Sequence, residues 1–178
     1  MQPHIIQLDI KKIAKQNILW TIGLSIGLLL LNLFLQPQSI HISASSIIWN
    51  VIFFVVLYVV LIILHEACHL LGFVLFGKTP FRSLSYGVDF EKGMAYATTS
   101  QPLPNYAMKK ALLLPFWVTG VIPTFIGFWL NNNTVILVGA FLIAGAVGDI
   151  AMYKELRKFS KHAKVQDDPK EPKLYVYD

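Results

Sequence analysis

The sequence predicts a mainly α-helical, polytopic membrane bundle of about four transmembrane helices, with a small cytoplasmic β-hairpin between the second and third. Composition is the first reason. Only 14% of the 178 residues are charged and 55% are hydrophobic, with a mean hydropathy of +0.57; a soluble domain of this length carries more charge and shorter apolar runs. Length is the second. Residues 17–35, 47–76, 111–130 and 134–153 form four runs, each able to cross a hydrocarbon core about 30 Å thick. The third is where the basic residues fall. Lys11, Lys12 and Lys15 precede the first run. Lys78, Arg82, Lys92, Lys109 and Lys110 lie between the second and third. Lys154, Arg157, Lys158, Lys161 and Lys164 follow the fourth. The other two connections, 36–46 and 131–133, contain no Lys or Arg. The positive-inside rule therefore puts both termini and the middle loop in the cytoplasm. The formal charge of +5 thus reports topology and contact with anionic lipid, not a nucleic-acid partner.

The chain reads as one integral membrane domain over 1–178. Residues 1–16 are a polar cytoplasmic arm, 17–153 a four-span core with a cytoplasmic loop at 78–110, and 154–178 a cytoplasmic tail. The first run is longer than the apolar region of a signal peptide, and Ser43-Ala44-Ser45 is a weak cleavage signal, so a retained anchor helix is expected. The second run is too long for one simple crossing, which predicts a tilt, a bend or an emerging helix end. In the middle loop, Leu84, Tyr86, Val88 and Phe90 alternate with Ser85, Gly87 and Asp89, the period of a strand with one apolar face. Glu91-Lys92-Gly93 reads as the turn and residues 94–99 as the returning strand. The third run carries Pro115, Gly120, Pro123 and Gly127, expected to give close packing and kinks. After Tyr153 the sequence predicts a basic helix to about Lys164, broken by Asp167-Asp168-Pro169, and a short strand at 174–177. The single cysteine, Cys68, excludes an intrachain disulfide.

Within the four apolar runs the strongly ionisable groups are His65, Glu66, His69 and Asp149. His65-Glu66-Ala67-Cys68-His69 places two imidazoles four residues apart, about 40° apart around a helix. This H-E-x-x-H spacing suits two nitrogen ligands to one metal, with a glutamate beside them to handle protons of a bound water. At membrane depth such groups cost several kcal/mol unless they have a partner or a role. A catalytic zinc commonly takes two histidines and a carboxylate, leaving a fourth position for water, and Asp149 is the carboxylate at a matching depth. From Ile47 to His65 is about 27 Å of helix, and from Thr134 to Asp149 about 22 Å. Two bland readings stand beside this one: His65 and His69 as structural hydrogen-bonders to Glu66 or Asp149, and Asp149 as an interfacial partner of Lys154. Cys68 reads as a small packing residue, and His4, His41 and His162 as surface residues in polar flanks. A di-iron oxidase would need more histidines and carboxylates than these.

These residues resemble a known group, the bacterial zincin-type integral membrane metallopeptidases, which are site-2-protease-like in layout. The similarity covers most of the chain after Ile47. It comprises the H-E-x-x-H helix, a cytoplasmic hairpin, the proline-containing span from Ala111 to Pro123, Gly148-Asp149-Ile150, a basic helix and an Asp-Pro-containing tail. Gly148-Asp149-Ile150 stands where well-known site-2 proteases have Leu-Asp-Gly, and no PDZ-like domain is visible. The resemblance implies one Zn2+ per chain held by His65, His69 and Asp149, with Glu66 as catalytic general base. The expected function is zinc-dependent intramembrane or membrane-proximal endopeptidase activity on membrane-associated protein or peptide substrates, in contact with the lipid bilayer. The alternatives are a non-proteolytic metal-binding membrane scaffold or chaperone and, less favoured, a metal transporter, which would show more than one site along a pathway. The strand at 84–90 is a candidate to hold an extended substrate by strand addition, though it can equally pair only within its hairpin.

Overall fold

The computed structural model describes residues 2–37, 44–89, 94–168 and 171–178. Among them, four helical stretches are long and apolar enough to cross a membrane: Ile10–Leu35, Ser45–Gly77, Asn105–Trp129 and Asn133–Leu156. The turn at Glu91-Lys92-Gly93, the last residue of the expected strand (Phe90) and His41 lie outside the described residues.

Each span extends beyond its apolar run for a local reason. Helix α1 (Ile10–Leu35) starts before the apolar residues because the Asp9 side chain accepts from the Lys12 backbone N–H at 3.1 Å. That cap satisfies one of the donors a helix start leaves free. Helix α2 (Ala44–Gly77) is one continuous element of 34 residues, about 51 Å long, so it outreaches a hydrocarbon core. It ends at Lys78, in the left-handed region at φ 54°, whose N–H bonds to the Val74 carbonyl at 3.0 Å. The third span is composite: α3 (Asn105–Pro115), a π-helical turn over Phe116–Val121, and α4 (Ile122–Trp129). The fourth is α5 (Asn133–Gly145) and α6 (Val147–Leu156), interrupted at Ala146.

Helix α5 is the centre of the bundle and packs on α1, α2 and α4, while α2 lies along α3. Small residues set the separations. A Cβ on Gly72 would lie 2.7 Å from Ala111 Cα, so α2 and α3 touch backbone to backbone there. At the end of α1 remote from the sheets, buried Asn32 donates to Asn131 Oδ1 at 3.0 Å and Asn133 Oδ1 at 2.9 Å, pinning α1 to the connection before α5.

The strands form two separate sheets. β2 (Leu84–Asp89) and β3 (Met94–Thr99) make the expected antiparallel hairpin, with Tyr86 opposite Ala97. The other sheet joins distant segments in the order β1-β6-β5-β4, from β1 (His4–Gln7), β4 (Leu103–Pro104), β5 (Lys164–Asp167) and β6 (Lys173–Tyr177). All its pairings are antiparallel. Ile6, Leu103, Val165 and Val176 of this sheet pack with Phe73, Met108 and Leu156 of the helices in the main buried core.

Two expectations change here. The amino-terminal arm contributes a strand paired with β6 before α1 begins, and the basic helix after Tyr153 stops at Leu156 instead of reaching Lys164. Asn105, fully buried at the start of α3, accounts for the stop. Its Nδ2 lies 2.9 Å from the Leu156 carbonyl, 3.2 Å from that of Phe159 and 2.9 Å from that of Ser160. These donations satisfy carbonyls that a longer helix would have used internally. Only then can the chain turn back so that Val165 pairs with Leu103. Replacing Asn105 by Leu strands the Phe159 carbonyl and leaves those of Leu156 and Ser160 with only the Phe159 and Ala163 N–H groups, and should destabilise the protein by about 1–3 kcal/mol. Thermal unfolding in detergent would register it as a lowered midpoint against wild type.

Candidate metal centre

Helix α2 presents His65 and His69 on one face, and α6 brings Asp149 to meet them. His65 Nε2 lies 3.4 Å from Asp149 Oδ2, and His69 Nε2 lies 3.6 Å from Asp149 Oδ1. One ligand-capable atom from each residue falls within 4.8 Å of the others. Asp149 owes its position to the interruption at Ala146. The break restarts the helix and puts the carboxylate in the first turn of α6, where the helix dipole favours negative charge. Asn17 of α1 donates to the Ala144 carbonyl beside that break at 3.2 Å.

The other ring nitrogens are committed. His69 Nδ1 is 3.1 Å from the Ala111 carbonyl. A carbonyl can only accept, so His69 carries its proton on Nδ1. His65 Nδ1 is 3.2 Å from Thr119 Oγ1, and that hydroxyl donates its own proton to the Pro115 carbonyl at 2.8 Å. His65 is therefore the donor to Thr119, and both Nε2 lone pairs are left toward Asp149. Zinc with bonds of about 2.0–2.1 Å in a tetrahedral arrangement separates its ligand atoms by about 3.3–3.4 Å. The two-imidazole, one-carboxylate donor set suits that ion, and the 3.4 and 3.6 Å spacings, each to a different Asp149 oxygen, are of that order.

These residues lie in a cavity of about 1040 Å³, which Glu66 also lines. Its walls include Ile13 and Asn17 of α1, Met152 of α6, and four successive β3 residues, Ala95, Tyr96, Ala97 and Thr98. The carboxyl-terminal sheet closes one side with Asp167 and Leu174.

The family described as "Putative zincin peptidase" matches residues 58–164, a segment that contains both histidines, Glu66 and Asp149. The chain belongs to that family. Zincin chemistry implies zinc, and the His65–His69–Asp149 group is the place among the described residues where three such side chains converge. No curated protein and no solved structure matches the chain.

Other residues singled out in the sequence are accounted for differently. Cys68 is buried and stands outside the converging group in this zincin family member. His4 packs edge-on against the Phe159 ring, with centroids 5.3 Å apart, and His162 is exposed. Thr119 and the Ala111 carbonyl carried no sequence signal beyond their distance from Pro115. Asp167, expected only as part of a helix breaker, ends β5 at the cavity. Burial there pushes its carboxyl up to about 7, against the opposing pull of the Thr98 side chain and the His69 imidazole.

That shift has a sign. An acid whose folded pKa is raised binds its proton more tightly in the native state, so stability is lost as pH rises from about 4 through about 7. In metal-free protein, Asp167→Asn should remove this loss, leaving the variant more stable than wild type above pH 7 and similar to it near pH 4. Melting temperatures of both proteins across that range would show the curves converging at low pH.

Proposed function

We propose that this protein is a zinc-dependent endopeptidase that hydrolyses peptide bonds of membrane-associated substrates within or beside the bilayer. The observation that carries the reading is the convergence of His65, His69 and Asp149 in one cavity with Glu66. His65 Nε2, His69 Nε2 and an Asp149 oxygen would hold the ion. Bound zinc supplies Lewis acidity, lowering the pKa of a ligated water from near 16 to about 7 and polarising the scissile carbonyl. Glu66 takes the proton of the attacking water and delivers it to the leaving amine. Asp149 would supply the anionic oxygen that offsets the charge of an ion held between the two Nε2 atoms. The apolar walls limit water around the reacting bond.

Membrane placement follows from the charge pattern. The end of the bundle carrying both sheets faces the cytoplasm, because the Lys and Arg residues of the chain fall in the arm, the middle loop and the tail. Substrate would enter extended along β3, which lines the cavity beside Val88 of its hairpin partner β2. Successive residues of a strand point to opposite faces, so a cavity lined by four in a row meets the strand edge-on. β3 pairs with β2 on one edge, and no strand pairs with its other edge among the described residues. Its free N–H and C=O groups are suited to receive one more strand.

Glu66→Gln should retain stoichiometric zinc and lower cleavage by at least about a hundredfold, so that bound membrane substrates accumulate and are recovered with the variant. His65→Ala should lose both zinc and cleavage. Metal analysis of purified protein, combined with substrate trapping by Glu66→Gln, tests both. Wild-type protein without zinc, with full function surviving Glu66→Gln, would overturn the peptidase reading.

A further inference from the structure

We infer that Pro115 is a positioning residue of the metal centre, supplying the acceptor that orients His69 and anchoring the acceptor that orients His65. The inference rests on the zinc-centre reading above. In an α-helix the carbonyl of residue 111 accepts from the N–H of residue 115. Residue 115 is proline and has no N–H to give, so the Ala111 carbonyl is left without its helical donor inside a membrane-spanning element. Water is scarce there and an unsatisfied carbonyl is costly. The donor it receives is His69 Nδ1–H at 3.1 Å, brought within reach because Gly72 lets α2 lie directly against Ala111.

The same proline serves the other histidine through its own carbonyl. Past Pro115 the chain adopts the π-helical turn over Phe116–Val121, and Thr119 within it donates to the Pro115 carbonyl at 2.8 Å. With its proton spent, Thr119 Oγ1 accepts from His65 Nδ1 at 3.2 Å. Thr119 has no exposed surface, so no water can stand in for it. One residue thus sets the tautomer and ring plane of both imidazoles, and both Nε2 atoms are aimed before any metal arrives. Partners of this kind behind metal-binding histidines typically carry ten- to hundredfold in metal affinity. A proline that merely kinks or packs a helix would carry none.

The test uses full-length protein in detergent, with zinc affinity from chelator competition and the visible absorption of the Co2+-substituted protein as readouts. Pro115→Ala restores an N–H that competes for the Ala111 carbonyl. Thr119→Val removes the His65 acceptor while keeping shape, and Thr119→Ser restores it. The expected result is zinc binding weakened about ten- to a hundredfold in Pro115→Ala and Thr119→Val, with an altered cobalt spectrum. Thr119→Ser should stay close to wild type, and metal-free Thr119→Val should melt within a few degrees of it. Wild-type affinity and an unchanged cobalt spectrum in both variants overturn the inference while leaving the zinc centre standing. Should Pro115→Ala fail to fold, equal zinc affinity in Thr119→Val and Thr119→Ser overturns it alone. If wild type binds zinc no better than His65→Ala, the zinc-centre reading falls and takes this inference with it.

Discussion

A carboxylate buried among membrane-spanning helices must be met by groups of opposite or complementary character, and the arrangement of this protein follows from how Asp149 is met. Its two oxygens face one imidazole each, His65 at 3.4 Å and His69 at 3.6 Å. Leaving such a group unpaired would cost several kcal/mol, so α2 and α6 are constrained to present these faces to each other. The interruption at Ala146 is part of the same solution. It starts a fresh helix just before Asp149, whose amino-terminal dipole favours the negative charge. Both ring nitrogens that face away are satisfied by the third span, so three of the four spans are tied into one polar centre.

Packing makes that centre possible. Without interhelical hydrophobic driving force in lipid, close contact depends on small residues and on hydrogen bonds. Gly72 against Ala111 is the contact that matters most, because it lies one helical turn from His69 on the helix that bears the ligands. A second lock at the far end of the bundle, Asn32 with Asn131 and Asn133, holds α1 against the connection into α5. α1 also forms one wall of the cavity. Its far end is fixed by amide hydrogen bonds and its near end by the β1–β6 pairing.

Both ends of the chain are part of the same wall. Leu8, just past β1, and Leu174 of β6 line the cavity beside Asp167. The amino-terminal arm and the tail, which look like polar appendages, are therefore structural neighbours of the His65–His69–Asp149 group. β3 completes the enclosure with its edge.

What the sequence determined by itself is what local chemistry and one-dimensional pattern can specify. Uninterrupted apolar length predicts the four spans, period-two alternation predicts the β2–β3 hairpin, and the four-residue spacing of His65 and His69 puts them on one helical face. Asp149 was legible as their partner because burial makes ionisable residues in apolar runs rare and therefore conspicuous. What only the tertiary structure decided depends on contacts between residues far apart in the chain. The basic helix stops at Leu156 because Asn105, some fifty positions earlier, captures its last carbonyls. The arm becomes β1 because β6 lies beside it, and β3 lines the cavity with four successive residues where β2 adds Val88. The tautomers of His65 and His69 rest on a hydroxyl and a carbonyl of another span. Pattern records which residues are apolar or charged, but a hydrogen bond between distant segments leaves no period in the sequence. That is why the converging His65–His69–Asp149 group could be read directly and the shell around it could not.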